Sequence, residues 1–133
     1  MNGPHDVHTD GNAIPPLDRE LAGLLEDLAD VHDPGVDQII AGLRLIALSR
    51  HSIDRTQTLV AVLAGGDDGT HLVAAIGQVI ARLATPDTNP ALRTLPFEQQ
   101  KRAQLNGETT AFVLAHPELA QFAADTSAAI DGL

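Results

Sequence analysis

Aliphatic residues return every three or four positions along most of this chain, and no segment alternates apolar with polar residues as a half-buried strand does. The first such stripe, Leu17, Leu21, Leu24, Leu28 and Val31, advances by 4, 3, 4 and 3 residues, and Leu25 widens it. At 100° per residue these side chains share one helix face, and their spacing suits a neighbouring helix at a shallow crossing angle. The expected fold is all-α, a compact bundle of five or six helices with helices two and four most buried. The 133 residues allow one sizeable core, so residues 16–133 are expected to form a single helical domain.

Helix boundaries are marked by local chemistry. Pro15-Pro16 precedes helix one, over about 17–31, with Asp18 and Glu20 at its positive end. Asp33 as N-cap and Pro34 in the first turn open helix two, over about 34–50. Ser52 caps helix three, over about 53–64 with Ile53, Thr56, Leu59, Val60 and Leu63 inward, and Gly65-Gly66-Asp67-Asp68-Gly69 stops it. Helix four, over about 71–84, is expected to bury Leu72, Val73, Ile76, Val79, Ile80 and Leu83. Its Ala74, Gly77 and Ala81 lie on another side, where a neighbouring backbone can come close.

Three prolines between Thr85 and Pro96 make a long connection with room for one turn at 91–95. A mostly polar helix follows from Phe97, with Asn106-Gly107 as a stop or a kink before Ala111–Ala115. The last helix starts at Pro117 and places Leu119, Phe122, Thr126 and Ile130 on one face. Residues 1–15 bury almost nothing and are expected to form a disordered arm. Asp33-Pro34-Gly35 and Asp67-Asp68-Gly69, 34 residues apart, each precede an aliphatic helix and leave a short helical-repeat-like stack as the alternative architecture.

Composition excludes several chemistries. Without cysteine there are no disulfides, thiolate metal sites or cysteine nucleophile, and with three Phe and no Tyr or Trp there are no base-stacking platforms. The net charge of −10 is concentrated early: the first 43 residues hold nine acids (Asp6, Asp10, Asp18, Glu20, Glu26, Asp27, Asp30, Asp33, Asp37) against Arg19 alone. Such a field repels nucleic acid and favours a partner with a basic surface. No stretch reaches the roughly 18 apolar residues of a membrane span, and no basic-then-apolar leader opens the chain, so a cytoplasmic location is expected.

Candidate chemical sites are few. His5, Asp6, His8 and Asp10 carry metal-ligand types on an arm without preformed geometry; Glu26, Asp30, His32 and Asp33 offer oxygens at helical spacing without a calcium loop. His51 and Asp54 flank Ser52, where helix capping accounts for all three. His71 and His116 stand at helix starts. No phosphate-binding glycine motif occurs, and no cofactor is implied.

Helix two carries the feature that points to function. Val36, Ile39, Ile40, Leu43, Ile46 and Ala47 occupy one side, while Ala41, Leu45 and Leu48 form a second apolar stripe roughly opposite. The expectation is a non-catalytic protein-interaction module, a homo-oligomer self-associating through Ala41, Leu45 and Leu48. One alternative is a binder of a small apolar ligand, or an enzyme, with an inter-helix pocket. The other is a helix-turn-helix DNA reader built on helices two and three with Arg44, Arg50 and Arg55, which the net charge opposes.

Overall fold

Side-chain caps mark where most of the helices begin. The structure, a computed structural model, describes residues 14–66 and 70–132, and the fold is all-α, with no strand among the described residues. The helices are α1 (Arg19–Ala29), α2 (Pro34–Leu48), α3 (Ile53–Val60, continued by a π-helical turn over Ala61–Gly65), α4 (Leu72–Leu83), α5 (Phe97–Leu114) and α6 (Pro117–Asp131), with a 3-10 turn at Pro90–Thr94. Most of the expected arm and the second member of the Asp-Gly echo, at 67–69, lie outside the described residues. No helix among the described residues is long and apolar enough to cross a membrane.

The chain divides into two compact units, with the boundary between His51 and Ser52. In the first, the Asp18 carboxylate accepts the Leu21 N–H at 3.2 Å to cap α1, and the Asp33 carboxylate accepts the Val36 N–H at 2.9 Å to cap α2. His32 links them in the left-handed region, at φ 57°, a conformation unusual for a side chain with a Cβ. Leu25 and Ile40, 1 % and 4 % exposed, are the buried apolar side chains of this hairpin.

This corrects the expectation that α2 is among the most buried helices. Ile40 alone is fully buried on it, because its main packing partner is α1, and one neighbour covers only one side of a helix.

In the second unit the small residues take the close approach expected of them, while large aliphatic residues expected inside are exposed. α4 and α5 run antiparallel: a Cβ at Gly77 meets the Ala111 Cα at 3.0 Å, and a Cβ at Gly107 meets the Ala84 Cβ at 2.6 Å and the Ala81 Cα at 3.3 Å. Ala74, Gly77, Gly107 and Ala111 are buried in the two helices. Leu72, Ile76, Val79, Ile80 and Leu83, expected inside, are exposed. Dispersion attraction falls steeply with separation, so the face that lets two backbones come closest is the one that packs.

α6 follows the same rule. Phe122 is 80 % exposed and Leu119 is also open, while Ala123 and Ala124 lie against Gly65 at the end of the π-helical turn, where a Cβ would stand 2.8 Å from the Ala124 nitrogen. Ser127 Oγ ties α6 to α3 by donating to the Gln57 carbonyl at 3.2 Å. Ile53, expected inside α3, is exposed. The Asn106-Gly107 pair does not stop α5, because Gly107 serves the crossing with α4 rather than a helix end.

Gly107→Ala should therefore lower stability by about 1–3 kcal/mol, since the Ala84 Cβ can retreat only with its backbone. Gly42→Ala, where nothing lies within 4 Å, should instead raise it by about 0.5–1 kcal/mol through helix propensity. Urea unfolding of both variants followed by circular dichroism checks the contrast; equal midpoints would contradict the close crossing.

Candidate interaction surface

Ala41, Leu45 and Leu48 follow one another at spacings of 4 and 3, so they share one side of α2. All three are exposed, Leu45 by 68 %. With Arg44 and Ser49 they line a groove of about 390 Å³. The backbone beneath is held at its end, because both the N–H and the hydroxyl of Ser49 donate to the Leu45 carbonyl. His51 Nε2 donates to the Ile46 carbonyl at 2.8 Å, adding a second anchor for the last turn. The stripe is thus presented on a closed helix end.

Arg44 has no carboxylate within 4.0 Å among the described residues, where the one ion pair is Lys101 with Glu98 at 3.8 Å. The groove is therefore apolar with one unpaired cation at its edge. Such a composition suits packing against another apolar surface.

Two of the remaining candidate residues, Ser52 and Asp33, cap helices. Ser52 Oγ accepts the Arg55 N–H at 3.0 Å, which makes it the N-cap of α3. The Asp33 carboxylate of the proposed oxygen cluster is committed to the α2 cap, and among the described residues no group of three His, Asp or Glu side chains comes together to hold a metal. The metal-ligand types at His5, Asp6, His8 and Asp10 lie outside the described residues. The two helices of the candidate DNA-reading pair, α2 and α3, belong to different compact units.

Two caps escaped the sequence reading. His71 Nδ1 accepts the Ala74 N–H at 3.1 Å at the start of α4, and His116 Nδ1 accepts the Glu118 N–H at 3.1 Å at the start of α6. A neutral imidazole has one acceptor nitrogen and performs the task usually given to Ser or Asp. His71 is buried, and its Nε2 has no hydrogen-bond partner among the described residues. The His116 ring meets Phe112 edge-on at 5.8 Å. The signal available in the sequence was position alone, His before Leu72 and His before Pro117.

A second hollow, of about 430 Å³, lies between α4, α5 and the start of α6 and is lined by Gln78, Ala81, Glu108, Ala111, Phe112, Ala115, His116 and Pro117. Its floor of alanines follows from the small-residue crossing, which leaves open space beside the helix pair. No known protein family, curated protein or solved structure matches the chain.

Ser52→Ala should cost about 1 kcal/mol of stability and Ser52→Asp little, because an Asp carboxylate accepts the same N–H. Thermal unfolding of the two variants tests the cap; an unchanged melting temperature in Ser52→Ala would remove it.

Proposed function

We propose that this chain is a non-catalytic helical interaction module that self-associates through the Ala41, Leu45 and Leu48 face of α2. The observation that carries this reading is the exposure of that stripe on a helix whose opposite side already packs on α1. Fully burying an exposed leucine side chain is worth about 1.5–3 kcal/mol, so a second copy gains most by covering Leu45, 68 % exposed, and a smaller share from Leu48, 38 % exposed. The stripe is also self-complementary. In an antiparallel pairing with Leu45 near the two-fold axis, the small Ala41 of one copy lies opposite the large Leu48 of the other, and the groove accepts it. No cofactor takes part in this reading, and the net charge of −10 sets it apart from a DNA-binding role.

Light scattering after size exclusion, at two protein concentrations in moderate salt, tests it. The expected result is a dimer or larger whose mass falls toward that of the monomer on dilution and in Leu45→Glu, with helix content retained. A strict monomer, or an unchanged mass in Leu45→Glu, would overturn it.

The hollow over Ala81, Ala111 and Ala115 favours a second reading, a binder of a small apolar ligand. Native mass spectrometry of the purified chain should then show a bound apolar molecule, lost in Ala111→Leu; a clean protein mass would count against it.

A further inference from the structure

The hairpin of α1 and α2 has another uncovered apolar face, and its charge distinguishes it from the α2 stripe. Leu24 and Leu28, one turn apart on α1, and Val31, in the turn just beyond its end, are all exposed, Leu24 by 61 % and Val31 by 62 %. Leu25, next to Leu24 in sequence, turns inward and takes the buried place of α1. The wide stripe of this helix is thereby split: one part packs within the hairpin and the other faces water.

Acidic residues border the outward part. On a wheel of 100° per residue, Glu20 and Asp27 lie beside Leu24 on the side away from Leu25. Among the described residues none of these carboxylates has a cation within 4.0 Å. Arg19, the only base in the first 43 residues, falls on the opposite side of the wheel from Leu28. A second copy paired antiparallel through the same face would bring the two carboxylate edges together, a like-charge contact that opposes pairing.

We infer that this α1 face docks a basic amphipathic helix of another protein. Apolar side chains at three- and four-residue spacing would cover Leu24, Leu28 and Val31, and flanking Lys or Arg would meet Glu20 and Asp27. α1 has 11 residues, so a partner helix of about three turns matches its length. Apolar burial supplies the affinity, while the charges supply orientation and a salt-sensitive rate of encounter.

Fluorescence anisotropy with the full chain tests the assignment, using a labelled synthetic peptide, LKKLLKLLKKLLKL, and its counterpart with every Lys replaced by Glu. The Lys peptide should bind at about 50 mM salt and weaken severalfold at about 500 mM, and the Glu peptide should not bind. Leu24→Ser with Leu28→Ser, and separately Glu20→Gln with Asp27→Asn, should each weaken binding about tenfold while helix content and solution mass stay unchanged. Leu45→Glu, on the face proposed for self-association, should leave peptide binding intact, so the two readings fail separately. Absence of binding at low salt, or binding undiminished in both double variants, would overturn the assignment. A fall in solution mass in Leu24→Ser with Leu28→Ser would also overturn it, by giving the face to a second copy.

Discussion

The close approach of α4 and α5 governs the second unit. At Gly107 a methyl group has no room and at Gly77 only a tight fit, and the alanines at 74, 81, 84 and 111 continue the same low ridge. Packing of this kind relies on many short-range contacts between backbones rather than on interlocked large side chains. A helix has one circumference, so once the small face is turned inward the large aliphatic face must turn outward. The exposure of Leu72, Ile76, Val79 and Leu83 on α4 and of Phe112 on α5 follows from that geometry. α6 repeats the choice, with Ala123 and Ala124 against Gly65 and Phe122 in solvent.

The hairpin solves its packing differently. Leu25 and Ile40 are large, and they are what it buries. Two helices have too little mutual surface to hide every apolar residue of two wide stripes. Leu24 and Leu28 remain open on α1 with Val31 just beyond its end, and Leu45 and Leu48 remain open on α2. Both proposals rest on that shortage of cover. They differ in charge: the α2 groove has one cation, Arg44, at its rim, whereas the α1 face is rimmed by carboxylates. An apolar stripe with a single cation at its rim suits a second copy, and a stripe edged by carboxylates suits a basic partner.

Much of the element order was legible beforehand because helix ends obey local rules. Asp33-Pro34, Ser52 and His116-Pro117 mark starts that depend on a few adjacent residues, and the Gly65-Gly66 pair ends the helical stretch begun by α3. The second stripe of α2 was also visible, since the opposition of Ala41, Leu45 and Leu48 to the side of Ile39, Leu43 and Ile46 is set by helical pitch alone. The histidine caps were not. Histidine serves many roles, and only the measured contact of Nδ1 with the Ala74 N–H assigns this one. Nor was the outward α1 face visible, because Leu24 and Leu25 are equivalent in any account based on hydrophobicity.

By itself, then, the sequence determined an all-helical chain, the starts of its main helices, an acidic first helix and the presence of more apolar faces than one. Pitch, capping and charge are properties of neighbours along the chain, so they need no knowledge of what lies across from them. The tertiary structure alone decided which face of each helix is inside. That choice depends on the distance between two backbones, and a glycine at 107 acquires its meaning only when Ala84 stands 2.6 Å from where its Cβ would be.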